Sequence, residues 1–201
     1  FLIGGQWRHG ETLVPVNNPY TGKLIAEVSN AGPADAEAAI QSTVDAADAM
    51  KALPSHARYH ALQKIAGGLY ARREEFAKLM TAEAGKPIAD ATREVSRAIQ
   101  TFTIAAEEAR RIPGEVIPLD WTPGTDSHLG ILRRVPIGPV LGITPFNFPL
   151  NLVAHKVAPA IAAGNSVVLK PATTTPITSI RLGEIMTEAG LKKITEVKTG
   201  E

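Results

Sequence analysis

Residues 137–176 read IGPVLGITPFNFPLNLVAHKVAPAIAAGNSVVLKPATTTP. Pro139 to Thr144 is a short apolar run that ends in a loop between prolines, Pro145-Phe-Asn-Phe-Pro149. From Leu150 to Ala163 the apolar residues Leu150, Val153, Val157, Ala160 and Ile161 recur near the helical period. Gly164-Asn165 is a helix stop. Ser166-Val-Val-Leu-Lys170 is β-branched and apolar, as in a strand covered on both faces. Val140 to Lys170 is therefore one βαβ unit, and the spacing predicts a further helix from Pro176 to Ala189 with Gly190 as its cap.

A βαβ unit puts both strand ends on one edge of a parallel sheet, where ligands of open α/β sheets bind. The polar residues at those ends are Asn147, Lys170 and Thr173 to Thr175. Asn147 has two readings. It caps the helix that starts near Pro149, or it aims a neutral amide donor at an oxyanion. Lys170 is either solvated or set against a ribose hydroxyl or phosphate. Thr173 to Thr175 cap the next helix, or offer hydroxyls to the same ligand at a helix N-terminus, which favours anions.

The rest of the chain surrounds this unit. At 201 residues, 44% hydrophobic and a net charge of +1, it is a globular protein with no electrostatic reason to bind nucleic acid or an acidic membrane. It has no cysteine, which removes disulfides, thiolate metal sites and a cysteine nucleophile from within it. No membrane span or signal peptide is read, and the start at Phe1 predicts missing N-terminal sequence. Strands are expected at Phe1–Trp7 and Leu24–Ser29, with a turn over Asn17–Gly22.

Residues 33–112 read as helices: one from Pro33 with Ile40, Val44, Ala47 and Met50 inward; one capped at Pro54-Ser55 with Leu62, Ile65 and Leu69 inward; Glu74 to Ala84, stopped by Gly85; and Ile88 to Ile112, with Val95, Ile99, Phe102, Ala106 and Ala109 as its stripe. Gly67-Gly68 predicts a close helix contact. Glu83, Glu94, Glu107 and Glu108 are assigned to solvated faces or helix salt bridges, and His155 to a packed or surface position. Leu129 to Ile137 reads as an edge strand, with Arg133-Arg134 as edge charges or an anion contact. There is neither G-x-G-x-x-G nor a P-loop.

The blocks Ile143-Thr-Pro-Phe-Asn-Phe-Pro149, Lys156 to Asn165 and Val168-Leu-Lys-Pro-Ala172, with Glu83-Ala-Gly-Lys-Pro87, Glu94-Val95 and Asn18-Pro-Tyr-Thr-Gly22 upstream, resemble the aldehyde dehydrogenase superfamily from about residue 2 to Leu191. The resemblance implies an α/β fold, a Rossmann-like parallel sheet flanked by helices, with the start of a β oligomerisation arm and truncated relative to the family subunit. Residues 1–112 and 138–191 would belong to the cofactor domain and 113–137 to the arm; 192–201 stay unassigned, because the likeness is expected to end at Leu191.

By position, the resemblance makes Asn147 the oxyanion-hole amide. It places Thr144, Pro145 and Phe146 on the nicotinamide side, Lys170 on the adenosine ribose and Phe148 toward the substrate tunnel. It implies NAD or NADP as cofactor, no metal, a small-molecule aldehyde as substrate, a homo-oligomer, and a cytoplasmic location. At position 173, NAD-preferring relatives tend to carry Glu; Thr173 leaves NADP open. The cysteine nucleophile and glutamate base would lie outside this chain, which by itself is expected to be inactive, with a non-catalytic binding module as the alternative. An apolar sheet edge and self-association are also expected.

Overall fold

The computed structural model describes residues 1–191 and the backbone of Thr195–Val197. The chain opens with two short strands, β1 (Leu2–Ile3) and β2 (Gln6–Trp7), joined in a tight hairpin. A two-stranded antiparallel ribbon follows, β3 (Thr12–Asn17) with β4 (Leu24–Asn30). Its turn is held by Asn18, whose Oδ1 accepts from the N–H groups of Tyr20 and Thr21 at 2.9 and 3.0 Å. The sequence reading omitted β3, because Thr12–Asn17 contains Pro15 and buries only Val16 fully.

The first predicted helix is two. α1 (Pro33–Asp45) and α2 (Ala47–Ala52) break at Ala46. The inward face is also shifted: Ala39, Thr43, Ala46 and Met50 are buried, while Ile40 and Val44 are about half exposed. The apolar residues expected inward at 40 and 44 thus lie one position off the packed stripe.

α3 (Ser55–Ala71), α4 (Arg73–Ala84) and α5 (Ile88–Ala109) form the main helical layer. Leu62, Ile65 and Leu69 of α3 are fully buried, as are Phe76 and Met80 of α4 and Phe102 of α5. Each such side chain contributes ~1.5–3 kcal/mol relative to exposure. Of the glycine pair in α3, Gly68 makes the close approach: a Cβ there would lie 2.6 Å from Ile185 Cγ2. Gly85 ends α4 with φ +67, the left-handed cap its position predicts.

Residues 113–137 form a separate ribbon, β5 (Glu115–Pro118) antiparallel to β6 (Leu129–Leu132). β6 ends at Leu132, so Arg133 and Arg134 lie beyond the strand rather than on its edge. They line a depression of about 770 Å³ with Lys51, Arg58 and Arg110.

The decisive stretch folds as its pattern predicts. β7 (Val140–Ile143), α6 (Asn151–Ala162) and β8 (Val167–Lys170) make a βαβ unit, with β7 and β8 parallel and Ile143 level with Lys170. α7 (Ile177–Glu188) follows, and Gly190 has φ +96 beyond its end. β9 (Thr195–Val197) then pairs parallel to β8 and antiparallel to β1. The resulting order is β2-β1-β9-β8-β7, so the α/β expectation holds, with a parallel centre and an antiparallel hairpin at one side. β9 lies in the tail left unassigned by the sequence; residues 192–194 and 198–201 lie outside the described residues. β8 is buried on both faces, whereas β7 is the opposite edge strand and exposes Leu141 and Ile143. Among the described residues no helix is long and apolar enough to cross a membrane.

Candidate active site at the strand ends

The site begins where β7 and β8 stop. Thr144 is buried, and both its N–H (3.1 Å) and its hydroxyl (3.4 Å) donate to the Lys170 carbonyl. That pair fixes the start of the loop Pro145–Pro149. Phe146, Asn147 and Phe148 then turn outward.

The end of the loop is held by a residue far away in sequence. Glu94 of α5 is 2% exposed. Its Oε1 accepts from the N–H groups of Leu150 and Asn151, both at 3.0 Å. These are the free donors at the start of α6, so Glu94 is the cap of that helix. Its other oxygen takes the ammonium of Lys86, which also donates to the Asn147 carbonyl at 3.0 Å. The capping reading of Asn147 is therefore excluded. The main chain at 147 is tied down by Lys86, and its exposed amide is not needed by the helix.

Asn147 opens on a crevice of about 430 Å³, lined by Lys86, Glu94, Arg97, Phe146 and Phe148 among others. The Phe148 ring lies against two cations, with Lys86 Nζ 4.0 Å and Arg97 Cζ 5.8 Å from its centroid.

α7 repeats the arrangement. Glu83, at the end of α4, is 3% exposed and accepts from the N–H groups of Ile177 (2.9 Å) and Thr178 (3.0 Å) and from the Thr178 hydroxyl. Burial pushes its carboxyl above the usual range, against those three hydrogen bonds, which favour the charged form. Both helix starts at this sheet edge thus already hold a carboxylate. Glu83 occupies the α7 N-terminus, at which Thr173 to Thr175 were expected to cap the helix or to offer hydroxyls to a ligand. Lys170 is half-buried with no ion pair among the described residues, Thr173 is exposed, and the Thr175 and Ser179 hydroxyls are buried without partners. Thr173 lies beside Val14, Val16 and Val28 of the β3–β4 ribbon, away from the Asn147 crevice. Asn147 and Lys170 thus share the strand edge, through Thr144, whereas Asn147 and Thr173 line different depressions.

Glu83 and Glu94, expected on solvated faces or in helix salt bridges, are instead buried at helix starts, Glu94 with an ion pair to Lys86 as well. Glu107 and Glu108 do pair on the surface, with Arg110 and Arg111, and His155 is exposed on α6. Among the described residues no cluster of His, Cys, Asp and Glu could hold a metal.

A sequence model described as "Aldehyde dehydrogenase family" matches residues 7–197, so the likeness extends past Leu191. The 3-sulfolactaldehyde dehydrogenase of Priestia aryabhattai is 46% identical over 192 residues, covering 95% of this chain and 40% of that protein. The lactaldehyde dehydrogenase of Methanocaldococcus jannaschii is 42% identical, covering 96% and 40%. Aldehyde dehydrogenase 21 of Physcomitrella patens, solved in complex with the reaction product succinate, superposes with TM-score 0.96 at 43% identity, over 100% of this chain and 42% of its own. An NADP-dependent glyceraldehyde-3-phosphate dehydrogenase from Bacillus halodurans, complexed with NADP, gives 0.95 at 34% identity, over 100% and 43%. The chain spans about 40% of the length of the relatives it matches.

Proposed function

Because the chain belongs to the aldehyde dehydrogenase family, we propose that it carries the oxyanion donor and the ribose side of the cofactor site for NAD(P)-dependent oxidation of an aldehyde to a carboxylic acid. The observation that carries this reading is the release of Asn147 from capping. Glu94 satisfies the start of α6, Lys86 fixes the loop, and the amide faces a crevice.

Chemically, a thiolate adds to the aldehyde carbon and the carbonyl electron pair moves onto oxygen. This chain has no cysteine, so that nucleophile comes from outside it. Asn147 donates its amide hydrogens to the oxygen as charge gathers there, and it carries no proton to lose. Thr144, Pro145 and Phe146 shape the adjoining edge, and Phe148 bounds the crevice. NAD or NADP, when bound, supplies the hydride acceptor. Lys170, which has no ion pair among the described residues, would meet the adenosine ribose hydroxyls with its ammonium. Hydrolysis of the acyl thioester then gives the acid.

Thr173 decides the cofactor prediction. It is exposed and neutral, and cannot repel a 2′-phosphate as a carboxylate would. The full-length enzyme containing this chain is expected to oxidise short aldehydes with either cofactor, NADP giving a kcat/KM within about tenfold of NAD or above it. An NAD preference of ~10³ contradicts the role of Thr173; no oxidation with either contradicts the function. The 201-residue chain alone is expected to turn over nothing.

The β5–β6 ribbon fits an oligomerisation arm over residues 113–137. Val116, Leu129 and Ile131 are each more than 60% exposed, an apolar surface suited to a second subunit.

A further inference from the structure

Arg133 and Arg134 have no strand edge to protect, because β6 ends at Leu132. They meet three cations from distant parts of the sequence. Lys51 lies in the last turn of α2, Arg58 in the first turn of α3, and Arg110 follows α5. All five line the depression of about 770 Å³, and no Asp or Glu among the described residues lines it with them. Arg110 pairs with Glu107, which lies outside the depression. Among the described residues the other four have no ion pair.

Arg58 is the most deeply set. Its Nε is buried with no hydrogen-bond partner among the described residues. Its guanidinium lies over Gly164, where a Cβ would collide with Nη1. Gly164 has φ +84, so the left-handed stop of α6 leaves the space that the guanidinium fills. Burial lowers the Arg58 pKa from its ordinary value. The start of α3 has no side-chain cap and opens on the same hollow through Ser55, adding N–H donors. Like charges gathered in one hollow repel one another, and a partly buried cation without a counter-charge is costly. A multivalent anion relieves both.

We propose that this depression binds a phosphorylated small molecule carrying at least two negative charges, gripped by the Arg58 fork with Arg133, Arg134 and Lys51 around it. Guanidinium forks match phosphate oxygens in pairs. The hollow has the volume of a small-molecule site rather than the flatness of a charged face that a partner protein would cover. Arg133 and Arg134 belong to the chain leaving the β5–β6 ribbon, whereas Lys51, Arg58 and Arg110 belong to the helical layer. The bound anion therefore ties the base of the ribbon to the helices. It does so at the far end of α6 from Asn147, where Ala163 lines the hollow. The inference does not depend on the dehydrogenase reading.

The test titrates the full-length enzyme with sodium pyrophosphate by calorimetry, with NADP saturating so that the cofactor site is filled, and with sodium chloride at matched ionic strength as the control. Wild-type enzyme is expected to bind pyrophosphate at a single site per subunit and to gain a rise in Tm that chloride does not give. Arg58→Gln is expected to weaken binding about 10- to 100-fold, and Arg58→Lys, which keeps the charge but not the fork, less. The double variant Arg133→Gln/Arg134→Gln alters only exposed side chains. It is expected to weaken binding about tenfold or more with NADP affinity unchanged, and it supplies the test should Arg58→Gln fail to fold. No pyrophosphate binding by wild-type enzyme, as when a second subunit fills the hollow, overturns the proposal. So does an affinity within about threefold of wild type in either folded Gln variant, which would place the anion elsewhere.

Discussion

Glu94→Ala is expected to destabilise the fold by about 3–5 kcal/mol, the usual cost of removing one partner from a buried ion pair. Three groups lose their acceptor together. The N–H groups of Leu150 and Asn151 are left at a buried helix start, and the Lys86 ammonium, on a side chain only 13% exposed, is left without its counter-charge. Neither helix donor has a local substitute, because α6 has no side-chain cap of its own. For a domain of this size the loss corresponds to a fall in Tm of roughly 10 °C or more. Thermal or urea unfolding measures it, with Glu107→Ala as the comparison. Glu107 pairs with Arg110 on the surface, where such pairs contribute ~0–1 kcal/mol. Equal and small losses for the two variants would show that Glu94 is not the cap.

Asn147→Ala makes the opposite demand. The side chain is exposed and the helix beside it is capped from elsewhere, so removing it should shift Tm little. In the full-length enzyme it should lower kcat by ~10²–10³, the range for loss of one oxyanion donor, or ~3–4 kcal/mol of transition-state stabilisation. The reason is geometric. An amide on a loop fixed by Thr144 at one end and Lys86 at the other does not need to reorganise when charge forms. A merely surface asparagine would give near wild-type kinetics. A capping asparagine would lower Tm by the ~1 kcal/mol of an N-cap and leave the rate largely intact.

Much of this was legible in the sequence. The βαβ unit, the stop at Gly85 and the Gly68 contact follow from local rules: the helical period, the left-handed cap and a missing Cβ. The capping carboxylates escaped because their partners lie 56 and 94 residues away, beyond any spacing rule. A signal was nevertheless present. Glu83 falls on the same stripe as Phe76 and Met80, and Glu94 on that of Ala91, Ala98 and Phe102. A carboxylate inside an apolar stripe is buried and must find donors, whereas Glu107 and Glu108 have arginines three residues on. Ile40 and Val44 misled in the other direction, since hydrophobicity alone assigned an inward face that Ala39 and Thr43 occupy. β9 has too short a run to be read without the neighbouring β8 and β1 that pair with it.

The central claim is that Glu94 caps α6 so that Asn147 is free, and held, for the reacting carbonyl. A double-mutant cycle on kcat/KM in the full-length enzyme tests it, using Glu94→Gln, which keeps one acceptor for the helix, and Asn147→Ala. The account predicts that Glu94→Gln slows the wild-type enzyme but adds little once Asn147 is gone, a coupling of at least ~1 kcal/mol. Effects that add to within ~0.5 kcal/mol would mean that the two residues act independently, contradicting the account.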